Sequence, residues 1–311
     1  SAYFSALSSF NMRTGDLLHL IFLSLLDGSA IVVNVILITA IVKSTPSLMK
    51  PYFVLILFTS IVDCTAAFMS LMAGVIVTNI EGSIIFVYIG PCNLIAPAFC
   101  YAAQAIHVQS IGESCVLLLV SFSYKLISFR LASSNGPQSK SRVALICICL
   151  IATIPAVIAS VTFSLAPTPP PQSLIENPEL QGRLFSVFNM TSAQVLSEEN
   201  ALSRGSIAYI IFLYLIASPA LFVLRRKLLQ KIRSMGSITD PNRHKEIFRS
   251  LTLHMFMPLT FSIGFMFWLL DFFGVCHVEI LHRLIMPISS TFTIISPLII
   301  IYSLPPYKKY V

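Results

Sequence analysis

Three polar side chains stand inside apolar stretches of this sequence, where a buried ionisable group can hold a proton or a cation. Asn34 and Asp63 lie in the first and second stretches, and Glu113 lies in the third. Asp63 follows Tyr52 by eleven residues, about 17 Å at the rise of an α-helix. Glu113 precedes Lys125 by twelve residues, about 18 Å by the same rise. Both carboxylates are therefore expected at a similar depth.

Two carboxylates held close together share a proton or bind a cation, because their charges repel and the pKa of one rises. A sodium or proton site formed by Asn34, Asp63 and Glu113 is therefore the first hypothesis. The alternative is that each carboxyl is protonated, or hydrogen bonded to a neighbouring Ser or Asn, and serves packing alone.

A second group of polar and aromatic side chains lies nearer one end of the same stretches. Gln104 and His107 are three residues apart and so share one helix face. His107 precedes Lys125 by eighteen residues, about 27 Å along a helix. Tyr209, Trp268 and Asp271 are expected at a comparable height. An apolar pocket with a few convergent polar groups is typical of a small-molecule site. These five are the candidate ligand-binding residues, with interhelical hydrogen bonding as the alternative.

The seven cysteines fall into two groups. The five inside apolar stretches, where cysteine acts as a small apolar residue, are Cys64, Cys100, Cys115, Cys147 and Cys149. Cys92 and Cys276 lie at the ends of stretches, where they can meet an oxidising compartment. The sequence permits a disulfide between Cys92 and Cys276 without establishing it.

The elements that must position these side chains are membrane helices, judging from composition. Of 311 residues, 56% are hydrophobic and only 11% are charged, and the mean hydropathy is +0.85. Soluble domains carry roughly twice that charged fraction. So large an apolar excess needs lipid as solvent for much of the chain. The prediction is an all-α membrane protein.

Seven apolar stretches are each long enough to cross about 30 Å of hydrocarbon as a helix. They are residues 17–42, 52–77, 94–122, 143–166, 206–224, 250–273 and 281–304. Prolines inside them (Pro97, Pro155, Pro219, Pro258, Pro287 and Pro297) are compatible with membrane helices, because neighbouring helices re-satisfy the freed carbonyls. The fold expected is a seven-transmembrane helix bundle.

The basic residues predict its orientation, since Lys and Arg are retained on the cytoplasmic side. Sixteen of the twenty lie in the first, third and fifth connections and the tail, and four lie on the opposite side. This count predicts an extracellular amino terminus (residues 1–16) and a short cytoplasmic tail (residues 305–311). The sequence Asn189-Met-Thr191, a glycosylation acceptor, agrees because it falls on the outside. The basic charge, +7, then reflects topology rather than nucleic-acid binding.

Two connections are long enough to carry function. The predicted extracellular loop, residues 167–205, begins with a proline-rich segment and is expected to be extended and lid-like. The predicted cytoplasmic loop, residues 225–249, is basic. The sequence contains no Gly-rich phosphate loop, no His-Glu-x-x-His and no Gly-x-Ser-x-Gly, which argues against an enzyme. No cofactor and no metal site are predicted.

Several motifs resemble those of known receptors. Asn34 and Asp63 are twenty-nine residues apart on successive helices, much as the Asn and Asp of rhodopsin-like receptors are. The segment Ser121-Phe-Ser-Tyr124-Lys125 resembles the end of helix 3 in nematode serpentine receptors of the str superfamily, particularly class delta, which usually has Tyr-Arg there.

The later helices carry the same likeness. Residues 247–254 followed by Pro258 resemble the start of helix 6 in that family, although Gln is more usual where His254 stands. The segment Ser296-Pro-Leu-Ile-Ile-Ile-Tyr302, followed by Pro306-Tyr307-Lys308, resembles its closing segment. The resemblance spans essentially the whole chain. Two departures are Lys125 in place of arginine and the lack of a cysteine in the long extracellular loop.

The resemblance implies a chemosensory G-protein-coupled receptor for an odorant or pheromone-like molecule, in the plasma membrane of a sensory cilium. A heterotrimeric G protein would be its partner beside the bilayer. The residues expected to face it are Tyr124, Lys125, Arg130 and Arg249, with hinges at Pro258 and Pro297. The rival interpretations are a ligand-gated channel, a proton-coupled carrier that uses Asp63 and Glu113, and a partner subunit for another receptor.

Overall fold

The computed structural model of the chain describes residues 14–44, 50–80, 83–132, 142–165, 192–196, 201–234, 252–253, 257–273, 275, 278–304 and 307. Within these ranges there are seven long helices and one small sheet. The helices are α1 (Thr14–Ser44), α2 (Lys50–Ala73), α3 (Pro97–Ala132), α4 (Arg142–Leu165), α5 (Ala201–Ser234), α6 (Met257–Phe272) and α7 (Glu279–Ser303). Five of the described helices (α1, α2, α3, α4 and α7) are long and apolar enough to cross a bilayer.

The helices form a bundle in which α3 is central. Helix α3 packs against α2, α4 and α5, while α7 packs against α6, α1 and α2. The outward faces of α1 and α4 carry exposed apolar side chains such as Leu18, Val157 and Ile158. In a membrane these faces contact lipid, so the whole assembly is a helical membrane bundle.

Helix α1 shows how the sequence separates lipid from core. Its buried positions recur every three or four residues, which places them in one stripe along the helix. In chain order they are Asp16, His19, Leu23, Asp27, Ala30, Asn34, Leu37, Ala40 and Ile41. The stripe is polar at intervals, so α1 presents polar side chains to the bundle and apolar ones to lipid.

Helix α2 is shorter than expected from the sequence. The apolar stretch 52–77 was read as one helix, but α2 ends at Ala73, and residues from Val75 are in a strand. Gly74 makes the break, because its φ of 51° is the left-handed conformation that glycine adopts without strain. Hydropathy measures apolar content and does not distinguish a helix from a buried strand.

The sheet has three antiparallel strands, β1 (Val75–Ile80), β2 (Ser83–Tyr88) and β3 (Ser192–Leu196), in the order β1-β2-β3. Strands β1 and β2 pair from Val75 opposite Tyr88 to Ile80 opposite Ser83. The sheet lies at the end of the bundle where α1 and α7 begin. The ring of His19 contacts the Val75 carbonyl at 3.2 Å, and Phe86 packs edge-on against Phe163 of α4.

A disulfide closes the connection from the sheet to α3. It joins Cys92 to Cys100, so the Cys92–Cys276 bridge that the sequence permitted is not formed; Cys276 itself lies outside the described residues. Cys92 lies in a short 3₁₀ turn, Pro91–Leu94, and Cys100 in the first turn of α3. Pro97 is the first residue of α3, a position suited to proline because it needs no amide hydrogen. Cys100 is therefore beside the loop rather than deep in a span.

Gly90 allows this connection to pass directly over the end of α2. Its amide donates to the Ala73 carbonyl at 3.1 Å, and the Ile89 amide donates to Gly74. A Cβ atom on Gly90 would overlap the backbone of Met72 and Ala73. Next to it, burial raises the pKa of Tyr88 well above its ordinary value, and the nearby Tyr101 adds to the effect. The phenol is therefore uncharged at neutral pH.

Candidate functional sites

The central polar contact of the bundle joins α1 to α7. The two amide hydrogens of Asn34 donate to the carbonyls of Ala30 and Thr293, both at 2.9 Å. Pro297 lies four residues after Thr293 and has no amide hydrogen, so the Thr293 carbonyl lacks its usual helical partner. Asn34 therefore supplies across the bundle the hydrogen bond that the proline removes.

Asp63 on α2 lies in the same layer and contacts α3. The Ser114 hydroxyl donates to Asp63 Oδ1 at 2.6 Å, and the Asp63 side chain is 1% exposed. Ser296, one residue before Pro297, lies near the carboxyl but outside hydrogen-bond geometry. Oδ2 of Asp63 has no hydrogen-bond partner among the described residues. The Oδ2 atom of Asp63 can therefore accept a proton or bind a cation.

Glu113 does not join this layer. It is buried beside Thr153 of α4, with Cys149 and Tyr209 also close. Successive helix residues point about 100° apart, so Ser114 faces α2 while Glu113 faces α4 and α5. The expected pairing of Asp63 and Glu113 is therefore not formed in the structure. Spacing along the helices predicted the depth of the two carboxyls but could not predict which way each side chain points around its helix.

A second polar layer lies nearer the sheet and spans four helices. His107 Nε2 on α3 is 3.0 Å from the hydroxyl of Ser290 on α7. The Ser290 hydroxyl is 3.4 Å from that of Ser70 on α2. Ser70 in turn lies near the carboxyl of Asp27 on α1. We call Asp27, Ser70, Ser290 and His107 the outer polar layer; all four are buried.

Gln104 extends this layer by one turn toward the sheet. Its side-chain amide donates to the Met286 sulfur at 3.8 Å, and Gln104 is fully buried. Gln104 and His107 share one face of α3, as predicted, and their partners Met286 and Ser290 are four residues apart on α7. The two contacts therefore join α3 to α7 at two successive helical turns.

The remaining predicted ligand residues are placed differently. Trp268 is half-buried, stacks on Phe265 at 5.2 Å between ring centroids, and joins an apolar cluster with Ala103 and Met286. Tyr209 lies near Glu113, six residues beyond His107 along α3. Asp271 is on α6, but its side chain lies outside the described residues.

At the opposite end of the bundle, Lys125 of α3 contacts α2. Its Nζ atom lies 4.0 Å from the centroid of the Tyr52 ring, a cation–π geometry. Tyr52 and Tyr307 are buried in an apolar cluster to which α1, α2, α3, α5 and α7 all contribute, and Tyr124 packs against it. Tyr302, in contrast, is 63% exposed.

Other predicted positions cannot be placed. The side chains of Arg130 and Pro258 lie outside the described residues, although both residues are in helices. Arg249 and Asn189 also lie outside the described ranges. Pro297 is buried within α7.

Three buried polar features were missed from the sequence: Asp27, the serines that accompany it, and an ion pair between Asp16 and Arg283 Nη1 at 2.6 Å. Spacing was the available signal. Asp16, Asp27 and Asn34 fall on one helical stripe of α1, and a charged side chain on the buried stripe of a membrane helix marks a polar contact. A count of apolar residues alone does not reveal these buried polar side chains.

A bundle of membrane helices with apolar outer faces, two internal polar layers and a separate basic end has the architecture of a polytopic membrane receptor. The profile of the family "Serpentine type 7TM GPCR chemoreceptor Srd" matches residues 19–311. Because that match covers most of its length, the chain belongs to this family of nematode chemoreceptors. It is a multi-pass membrane protein of a receptor family, not an enzyme family.

Named relatives agree with this assignment. The chain is 22% identical to serpentine receptor class delta-3 of Caenorhabditis elegans over 297 residues, which cover 90% of this chain and 82% of that one. It is also 22% identical to class delta-18, over 89% of this chain and 82% of the relative. For class delta-2 the identity is 23%, with 89% and 77% covered. The resemblance to class delta is thereby confirmed.

Proposed function

We propose that this chain is a chemosensory receptor that detects a small molecule from outside the cell and signals to a heterotrimeric G protein. The observation that carries the proposal is the outer polar layer. Buried polar side chains from α1, α2, α3 and α7 converge there, beside the apolar cluster that contains Trp268. Such a mixture of apolar walls and a few polar groups suits a small organic ligand.

The orientation proposed has the sheet and the start of α1 outside the cell. Three observations support it. The sequence has sixteen basic residues in the connections and tail predicted to be cytoplasmic and four in those predicted to be outside. The glycosylation sequence Asn189-Met-Thr191 directly precedes strand β3 along the chain. The Cys92–Cys100 disulfide is at the sheet end, and disulfides persist in oxidising compartments.

The proposed mechanism is a two-state equilibrium, in which the ligand favours one state by its differential affinity. Helices α3 and α7 connect the two ends. Helix α3 carries His107, Ser114 and Lys125 in succession, and α7 carries Ser290 and Pro297. A ligand that separates α3 from α7 at the His107–Ser290 contact can change the Lys125–Tyr52 contact, which lies about 27 Å away along α3.

The proposed G-protein surface is the end that carries Lys125. Tyr124, Lys125, Arg130 and Arg249 would contact the G protein, while α6 would pivot at Pro258 and α7 at Pro297. Opening of this end requires separation from the apolar cluster around Tyr307. The location proposed is the plasma membrane of a sensory cilium, which the family implies.

A proton-coupled carrier is the second reading of the same bundle. The carrier hypothesis requires Asp63 and Glu113 to act as a pair, but in this structure the two side chains face different helices. The bundle therefore favours a receptor over that carrier.

A ligand screen in cells tests the proposal. Cells expressing the chain, together with sensors for dissociation of Gα from Gβγ, are exposed to a panel of small volatile and soluble molecules. At least one compound is expected to evoke dissociation in these cells and not in cells with an empty vector. Ligand-evoked uptake of the compound without dissociation would instead support a carrier.

A further inference from the structure

Asp27 is the most unusual residue of the bundle. Its side chain is 0% exposed, and neither carboxyl oxygen has a hydrogen-bond partner among the described residues. It lies thirteen residues into α1, about 20 Å along the helix, and hence well inside the bundle. A buried carboxylate without a partner is costly, and in a membrane bundle such a residue marks a functional site.

Among the described residues, no basic side chain forms an ion pair with Asp27. Arg283, the basic residue near the start of α7, is bonded to Asp16, which precedes Asp27 by eleven residues, or about 16 Å. The side chain near the Asp27 carboxyl is the hydroxyl of Ser70, and from Ser70 a series of buried contacts leads to Ser290 and from Ser290 to His107.

The layer also has more acceptors than donors. Besides the two oxygens of Asp27, the Gln104 Oε1 atom is buried without a hydrogen-bond partner among the described residues. The amide nitrogen of Gln104 is directed at the Met286 sulfur, a weak acceptor. A ligand that brings several donors and a positive charge would satisfy these three acceptor atoms.

An organic ammonium group meets this requirement, because it carries a positive charge and has donors only. Its alkyl chain would have an apolar wall close by. Met69 precedes Ser70, Met286 lies one turn from Ser290, and both belong to the apolar cluster that includes Trp268. A bare metal ion suits the place less well, since the described residues contain no group of three or more His, Cys, Asp or Glu side chains.

We propose that the outer polar layer is a binding site for small alkylammonium ligands, with Asp27 as the counterion and Ser70, Ser290, His107 and Gln104 as hydrogen-bonding partners. This deepens the proposed function by naming the chemical class of ligand, and it rests on the receptor assignment only for its physiological meaning. Binding itself needs no G protein.

The test measures binding to the purified full chain in lipid nanodiscs. Thermal unfolding is followed in the presence of n-alkylamines of three to eight carbons, the matched n-alkanols, the matched n-alkanoates, and sodium chloride. At least one amine is expected to raise the unfolding midpoint in a dose-dependent way, whereas its alcohol and acid do not. The Asp27→Asn variant keeps the side-chain shape and removes the charge, so its apparent amine affinity is expected to fall at least tenfold.

Two further variants keep the test decisive. Asp16→Asn changes a buried carboxyl that already has Arg283 as partner, so the amine-induced shift is expected to remain. Gln104→Leu is expected to weaken amine binding, and it serves as the reporter if Asp27→Asn does not fold. The proposal is overturned if no amine stabilises the chain, if the alcohol does so equally, if sodium alone accounts for the shift, or if Asp27→Asn binds amine as well as the wild type.

Failure of this proposal differs from failure of the receptor assignment. If neutral molecules evoke G-protein dissociation equally in wild type and Asp27→Asn, and no amine binds, the receptor assignment stands and the ammonium site is wrong. If amines bind through Asp27 but evoke no dissociation, the site stands and the coupling proposed above is wrong.

Discussion

The side-chain amide of Asn34 donates to the Thr293 carbonyl at 2.9 Å, the carbonyl that Pro297 deprives of its helical partner. This contact fixes α1 against α7 in the layer that also contains the Ser114–Asp63 hydrogen bond. It also explains why an asparagine is useful at this point, since only a side chain with two donors can serve both this carbonyl and that of Ala30.

Asn34→Ala is expected to destabilise the bundle, because the Thr293 carbonyl would be left buried and unsatisfied. The loss is about 1 kcal/mol or somewhat more. It is measured as a lower midpoint of thermal unfolding in detergent, followed by fluorescence-detected size exclusion. Thr39→Ala is the control, because the Thr39 hydroxyl is exposed and bonds only within α1. Equal midpoints for the two variants would contradict the role given to Asn34.

Gly90→Ala is expected to abolish folding, since its Cβ would overlap the backbone at Ala73. The measurement is the fraction of the chain that reaches the cell surface. Gly205→Ala is the matched control, because a Cβ there meets nothing within 4 Å and alanine is a better helix former. Normal surface expression of Gly90→Ala would show that the sheet connection does not pass over α2 as described.

The Cys92–Cys100 disulfide can be distinguished by experiment from the alternative Cys92–Cys276 pairing. A proteolytic peptide that contains both Cys92 and Cys100 is expected, without reduction, to be lighter by two hydrogen atoms in mass spectrometry. Cys92→Ser is expected to destabilise the chain by about 2–4 kcal/mol, the usual contribution of a disulfide. Cys276→Ser should leave the unfolding midpoint unchanged. A crosslinked peptide containing Cys92 and Cys276 would refute the pairing.

The Lys125–Tyr52 contact is expected to restrain the end of the bundle at which the G protein is proposed to bind. Tyr52→Leu removes the aromatic ring and a cation–π interaction of roughly 1–2 kcal/mol, so basal G-protein dissociation should rise. Tyr52→Phe keeps the ring and should leave basal signalling unchanged. Lys125→Arg should also preserve the restraint, because Arg stacks on aromatic rings. If Tyr52→Phe and Tyr52→Leu signal alike at equal expression, the ring has no such role.

The sequence predicted the helical membrane architecture well, because a span needs only length and apolar content. The sequence-based prediction was wrong about where the second helix ends and about which cysteines can pair. The stretch 52–77 is apolar enough to be read as one helix, yet the β-branched residues from Val75 onward favour a strand, which pairs with a second strand that begins at Ser83. Pro97, read as an internal proline of the third stretch, is instead the first residue of α3, so Cys100 lies next to the connection that carries Cys92.

The sites were predicted less fully, for a reason that is also geometric. Gln104 and His107 were placed on one face correctly, since three-residue spacing defines a face within a helix. Which helix that face meets depends on how the helices rotate in the bundle. For that reason the sequence did not predict that Asp63 contacts Ser114 rather than Glu113. Nor did it predict that Tyr209 lies near Glu113 rather than near His107.

The central claim, ligand-driven coupling to a G protein, is tested most directly by blocking the coupling step. Cells that express the chain are stimulated with an active compound while the carboxy-terminal helix of Gα is occupied by a competing binder, and second messenger and membrane current are recorded together. The account predicts that the cyclic-nucleotide or calcium response disappears and that no ligand-evoked current remains. A ligand-evoked current that persists under the block would contradict it and indicate a channel.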